Sequence, residues 1–206
     1  MNQALENRVT KVLVLGANGQ IARVAIELFI KNTNAQLTLY LRNAKRLKGI
    51  GHPDRTHVID GDVLDMKSLE AAMVGQDVVY ANLAGRLEEQ ARCIVKAMEA
   101  TGVKRLIFIS SMGIYGEVPG ENHGSILDPY RNAARVIEAS GLDYTILRPE
   151  WLNDRDEINY GTTQKGEPFK NASATVSRKS VADLVVKLAI TPDLEVRRSL
   201  GVHKAS

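Results

Sequence analysis

One cysteine in 206 residues, Cys93, excludes a disulfide framework and a cysteine metal cluster. It falls on an apolar helix face and reads as a buried structural thiol. The four histidines, His52, His57, His123 and His203, show no metal-ligand spacing, so no metal is expected. Aromatic residues make up only 5%, with Trp151 the one tryptophan, and they do not interleave with basic residues. Lys and Arg are scattered, dense only at Arg42 to Lys48 and at Lys104-Arg105. A net charge of +3 therefore forms no stripe for nucleic acid. No apolar run approaches bilayer length. Met1 to Arg8 is polar and lacks the apolar core of a signal peptide. The expectation is a cytoplasmic protein with neither a nucleic-acid nor a membrane partner.

What is present is ordinary globular material, 44% apolar and 25% charged, and residues 1–206 fit one domain. Strand and helix patterns alternate, as in a parallel sheet covered on both faces. Strands are expected at Lys11 to Leu15, Gln36 to Leu41, Thr56 to Asp60, Asp77 to Ala81, Lys104 to Ser110 and Asp143 to Leu147. Helices are expected at Gly19 to Lys31, Asp65 to Val74, Arg86 to Ala100, Asp128 to Ser140 and Arg178 to Ile190, with a short turn at Asn43 to Lys48. Arg198 to Gly201 reads as a short edge strand. Two stretches break the alternation: Met112 to Leu127, with its glycines and Pro119, and an irregular segment over 149–176. Both follow strands at their C-terminal ends, where open α/β sheets bind ligands, and they read as walls of a substrate pocket.

The most specific pattern is Gly16-Ala17-Asn18-Gly19-Gln20-Ile21-Ala22, directly after the apolar run Val12 to Leu15. A buried strand entering glycines and then an amphipathic helix is the first turn of a dinucleotide-binding βαβ unit. Gly16 permits the tight exit, Gly19 a close backbone approach, and Ala22 close helix–sheet packing. Gly16, Asn18, Gly19, Gln20 and Ile21 would hold a pyrophosphate at the helix N-terminus. The second strand ends in Arg42, with Lys45 and Arg46 one turn on, where an NAD site normally carries Asp or Glu. A guanidinium matches a 2′-phosphate, which favours NADP(H) over NAD(H); the alternative is a solvated strand-end charge. Asp62 and Val63, after the third strand, suit an adenine, or Asp62 merely caps the next helix. Leu83 and Ala84, in Ala81-Asn82-Leu83-Ala84-Gly85, let the backbone sit against a ribose.

These motifs, with Asp60-Gly61-Asp62-Val63, Ser110-Ser111-Met112-Gly113-Ile114-Tyr115-Gly116 and Leu147-Arg148-Pro149, occur in order from Val9 to about Val202. Together they resemble the short-chain dehydrogenase/reductase superfamily, in its atypical NAD(P)-binding branch of NmrA-like and biliverdin reductase B (flavin reductase)-like proteins. The resemblance implies a Rossmann-type doubly wound α/β fold with a small C-terminal substrate lobe. It sets Pro149 near the nicotinamide and counts Ser110 with the cofactor contacts. By position, Ser111 matches the superfamily's catalytic serine and Tyr130 its tyrosine. The partner lysine is missing: the residue four beyond Tyr130 is Ala134, and no Tyr-x-x-x-Lys occurs anywhere in the chain.

That absence shapes the expected chemistry. A simple ketone reduces to a strongly basic alkoxide, which needs a positioned acid. A flavin or quinone reduces to a delocalised anion that takes its proton from water, so orientation suffices. Met112, Tyr115, Trp151 and Leu152 are expected to wall a pocket for such a small-molecule acceptor, with ordinary loop packing as the alternative. Arg148 reads as a structural ion-pair residue, and the Ser177-Arg178 segment as an N-cap. The leading expectation is an NADPH-dependent oxidoreductase. The alternative is an NADP(H)-sensing protein with a regulatory protein partner. A sugar-nucleotide epimerase is a third, weaker reading.

Overall fold

The computed structural model describes residues 9–47, 49–118, 124–170 and 173–205. The expectations placed on Met1 to Arg8, Lys48, Pro119 and His123 lie outside the described residues. Strand β1 (Lys11–Leu15) is the middle of the N-terminal half. Its Val12, Leu13, Val14 and Leu15 are wholly buried, as a parallel strand covered on both faces requires. Val12 and Val14 join one core cluster, Leu13 and Leu15 the other, so the period-2 pleat feeds two separate cores.

Helix α1 (Gln20–Asn32) follows β1 and buries Ile21, Ala22, Ala25, Ile26, Leu28 and Phe29. Strands β2 (Gln36–Leu41) and β3 (Thr56–Asp60) extend the sheet outward. Helix α2 (Met66–Met73) opens on Asp65, whose side chain accepts from the Ser68 N–H, as an N-cap should. Strand β4 (Val78–Ala81), helix α3 (Leu87–Thr101), strand β5 (Arg105–Ile109), helix α4 (Asp128–Glu138) and strand β6 (Asp143–Pro149) complete the alternation. Helix α5 (Arg178–Ile190) starts on the capping hydroxyl of Ser177. Helices α1 and α5 cover one face of the sheet, and α2, α3 and α4 the other. This is the doubly wound architecture expected.

The C-terminal third departs from expectation. Strand β10 runs Arg198–His203 rather than stopping at Gly201, and it is no edge strand. The sheet order is β3-β2-β1-β4-β5-β6-β10-β8, where β8 (Gly161–Thr163) pairs antiparallel on the outside of β10. Every other pairing in this sheet is parallel. Two buried side chains, Leu200 and Val202, pin β10 inside the sheet. Gly201 lies so close to β8 that a Cβ would stand 2.4 Å from Thr163 Oγ1 and 2.6 Å from the Phe169 ring. The segment 149–176 is likewise not irregular throughout. Besides β8, it carries β7 (Trp151–Asn153) and β9 (Thr175–Ser177), which pair in parallel as a small separate sheet. Three residues are too few to show a period, which is why these strands leave no trace in the sequence. Among the described residues, no helix is long and apolar enough to cross a membrane.

Candidate active site

The C-terminal ends of β1, β2 and β4 open into a cavity of about 270 Å³. The chain leaves β1 through Gly16, whose φ of 76° lies in the left-handed region that glycine tolerates. A Cβ on Gly16 would stand 2.2 Å from the Asn82 carbonyl oxygen, and one on Gly19 would stand 2.1 Å from Asn82 Nδ2. Both glycines thus let the β1–α1 turn sit hard against the residue that follows β4. Gly19 is also the N-cap of α1, with no side chain capping it and no acidic residue in the first turn. The free N–H groups and the positive dipole end are left open, an arrangement that favours an anion.

Arg42 and Arg46 line the same cavity beyond the end of β2. Asp60 fixes their turn, accepting from the N–H groups of Asn43 at 2.9 Å and Ala44 at 3.0 Å. Asn43 takes a left-handed backbone, φ 58°, to present both. Arg42 is 76% exposed and stands 3.7 Å from Asp62 Oδ2, a long and solvated ion pair that leaves its guanidinium available. Asp62 does two things: Oδ2 faces Arg42, and Oδ1 accepts the Leu64 N–H at 3.0 Å. The Tyr40 hydroxyl, 2.9 Å from the Asp62 carbonyl oxygen and 3.0 Å from Ser68 Oγ, ties the β2 end to the β3–α2 turn. Burial pushes the Tyr40 hydroxyl above its ordinary pKa.

Of the expected cofactor contacts, Gly16, Asn18, Gly19, Arg42, Asp62, Val63, Leu83 and Ala84 all line this cavity. Gln20, Ile21, Ser110 and Pro149 do not, the last two lining a second cavity instead. Ile21 is buried in the α1–α5 core, and Gln20 Oε1 accepts from Arg178 Nε at 3.1 Å, so only their backbone N–H groups remain to meet a phosphate. Gln90 of α3 was missed. It lines the cavity, is 8% exposed, and its Oε1 has no hydrogen-bond partner. No spacing rule points to a helix residue reaching a cavity from across the sheet. A dinucleotide fits what is present: a turn opened by Gly16 and Gly19 at a helix N-terminus, a basic corner at Arg42 and Arg46, and an unsatisfied buried amide oxygen.

A second cavity, of about 590 Å³, opens beyond β5 and β6. Ser110, Ser111, Met112, Tyr130, Pro149, Trp151 and Leu152 line it, so both irregular stretches contribute walls. Ile126, Leu127 and Glu150, from the same two stretches, line it too, and Arg178 lines it from outside them, where no wall was expected. The Ser111 hydroxyl donates to the Met112 carbonyl at 3.1 Å, and the buried Ser110 Oγ has no partner. Pro149 closes the loop from behind by accepting the Met112 N–H at 3.3 Å. Ala134, four residues past Tyr130, is wholly buried in the core shared by α3 and α4. Lysine at that position would point into apolar packing. Glu150 is 2% exposed; its Oε1 accepts the Lys204 N–H at 2.7 Å, and burial pushes its carboxyl above the usual carboxylate range.

Tyr115 is a correction, because it does not line this cavity. Its hydroxyl donates to Glu138 Oε1 at 2.7 Å and lies 3.2 Å from Ser199 Oγ, with the Arg148 guanidinium 5.1 Å from its ring centre. It belongs to a buried polar network behind the wall, and burial drives its pKa upward. Arg148 is the centre of that network, structural as expected. It is wholly buried, pairs with Glu117 Oε1, and donates through Nε and Nη2 to Ser199. Glu117 also accepts from the N–H groups of Gly113 and Tyr115, so one buried carboxylate folds the loop that follows Ser111.

Two adjoining cavities at the carboxyl ends of a doubly wound sheet, one built for a dinucleotide, define a nucleotide-dependent α/β domain. The chain belongs to the NAD(P)H-binding family, whose model matches residues 16–192. A Rossmann-fold NAD(P)-binding family protein of Shigella flexneri is 43% identical, with a TM-score of 0.85 over 96% of this chain and 94% of that one. A short-chain dehydrogenase/reductase of Veillonella parvula, solved in complex with NADP, is 29% identical, with a TM-score of 0.84 over 96% and 95%. YhfK of Bacillus subtilis, described as an uncharacterized sugar epimerase, is 29% identical over 191 residues, 85% of this chain and 86% of its own.

Proposed function

We propose that this chain is an NADPH-dependent oxidoreductase that delivers hydride to a planar acceptor, such as a flavin or quinone, without a Tyr-x-x-x-Lys pair. One observation carries the reading. The cavity next to the dinucleotide turn is walled by Met112, Leu127, Pro149, Trp151 and Leu152, while the position that would hold the activating lysine is the buried Ala134. A bound nicotinamide supplies hydride. The chain's own residues stack and orient the acceptor, and Ser111 offers its hydroxyl to an acceptor oxygen. Tyr130 lines the cavity, and the residue four beyond it is the buried Ala134 and not a lysine, so the reading does not depend on it for proton delivery. The preference for NADPH rests on Arg42 and Arg46, whose charge suits a 2′-phosphate. An epimerase, the description YhfK carries, leans on the absent acid–base pair.

The test is NADPH oxidation by the purified protein with FMN, a soluble naphthoquinone and simple ketones, beside titrations of NADPH and NADH. Turnover with flavin or quinone but not with ketones supports the reading. The same absence of an acid pair also suits a second reading, an NADP(H) sensor acting through a protein partner. Tight NADPH binding with no turnover on any acceptor would replace the first reading with the second.

A further inference from the structure

We propose that Arg178 is the specificity-determining residue of the acceptor cavity, and that the acceptor it selects carries an anionic arm, a carboxylate, sulfonate or phosphate, on its planar body. This rests on the oxidoreductase reading and names the substrate class within it. In the sequence Arg178 looks like nothing more than the first residue after an N-cap. In the structure it stands at the start of α5 and lines the acceptor cavity with Ser111 and Tyr130, and it also borders a cavity of about 270 Å³ shared with Asp154. Its Nε donates to Gln20 Oε1 at 3.1 Å and its Nη1 to Asp154 Oδ1 at 2.8 Å. Nη2 has no hydrogen-bond partner among the described residues. The side chain is only 17% exposed, whereas Asp154 is 87% exposed.

The asymmetry matters. An ion pair to so exposed a carboxylate is weak and screened, so Asp154 holds the guanidinium in place without satisfying it. A planar fork with unused N–H donors, partly shielded from water, is the group best matched to a carboxylate, sulfonate or phosphate. The rest of the lining does not cancel its charge. The one carboxyl group of this lining is Glu150, which is 2% exposed and turns Oε1 to the Lys204 N–H at 2.7 Å, and no ion pair joins it to Arg178 among the described residues. The remaining wall is apolar or hydroxylic, which suits the planar body. A neutral ring system of the same size would leave the Nη2 donors unpaired on binding, and that loss is what separates the two substrate types.

Trp151 is the one tryptophan and lines the same cavity, so its fluorescence reports acceptor binding without turnover. The experiment titrates wild type, Arg178→Gln and Asp154→Asn with FMN against riboflavin, and with 1,4-naphthoquinone-2-sulfonate against 1,4-naphthoquinone. Wild type should bind each anionic member at least about tenfold tighter than its neutral partner. Arg178→Gln should abolish that preference, and Asp154→Asn should enlarge it, because the competing carboxylate is gone. If Arg178 is only a clip between α1 and the β7 segment, both variants break the clip and shift binding in the same direction, which overturns the proposal. Equal binding of both members by wild type overturns it too, as does an Arg178→Gln protein that loses NADPH affinity while keeping the anionic preference. NADPH oxidation is followed in parallel. Binding preference without turnover on any acceptor counts against the oxidoreductase reading, and turnover without preference counts against the role of Arg178.

Discussion

The two cavities are built by different means. The dinucleotide side is framed by backbone: strand ends, a turn opened by Gly16 and Gly19, and the N-terminus of α1. Its tolerances are set by contacts such as Gly16 against the Asn82 carbonyl. The acceptor side is made of side chains brought in from four places, the β5 end, the 126–130 segment, the β6–β7 junction and the start of α5. Behind it stands a buried polar network rather than a hydrogen-bonded ladder. Backbone requirements leave local motifs in a sequence. Convergence of distant side chains does not. The first site should therefore fail through glycine changes and the second through loss of its buried supports.

The largest effect is expected on the acceptor side. Glu117→Ala removes a carboxylate that is 4% exposed and strands the wholly buried Arg148. Breaking such a pair should lower stability by about 3–5 kcal/mol, read by urea unfolding. In protein that still folds, acceptor binding should suffer far more than NADPH binding, because Glu117 shapes the loop after Ser111 and not the β1–α1 turn. Equal losses at both sites would erase the distinction between them.

On the dinucleotide side, Gly16→Ala forces a Cβ into a backbone oxygen at positive φ and should cost roughly 2–3 kcal/mol. Gly19→Ala meets a side-chain amide instead, which can swing away. It should cost less than about 1 kcal/mol in stability, while NADPH affinity falls as the displaced Asn82 amide enters the cavity. Arg42→Ala should leave folding intact and weaken NADPH roughly tenfold or more, with little change for NADH. Equal loss for both cofactors would remove the 2′-phosphate assignment.

The smallest effect concerns Glu150. Its carboxyl lies above the usual range because it is buried. A raised folded-state value means the folded protein holds the proton more tightly than the unfolded chain does. The associated stability is complete below the ordinary carboxylate range and is lost as pH rises through the raised value. Glu150→Gln keeps an oxygen for the Lys204 N–H and should flatten that slope in the window just above the ordinary carboxylate range. An unchanged slope would mean that burial does not control this group.

Legibility followed the same division. The strands β1, β2 and β3 and helix α5 match their expected bounds residue for residue, because apolar runs and caps mark them. The strands β7, β8 and β9 were invisible at three residues each, and β10 was misplaced to an edge because nothing local reveals that β8 folds back over it. Within the sites, the glycines, Arg42 and Asp62 were readable from position after a strand. Gln90 and Arg178 were not, since each reaches its cavity through tertiary placement alone. Tyr115 was assigned to the cavity wall because it sits in a loop that does line it. Its hydroxyl turns the other way, to Glu138.

The central claim is that hydride delivery here needs orientation and no dedicated acid pair. The most direct measurement is NADPH consumption with a soluble naphthoquinone and with a simple ketone, each at saturating NADPH, in wild type and in Tyr130→Phe. The account predicts steady turnover of the quinone by both proteins and none of the ketone by either. Ketone reduction by wild type that Tyr130→Phe abolishes would contradict it and restore Tyr130 as the acid.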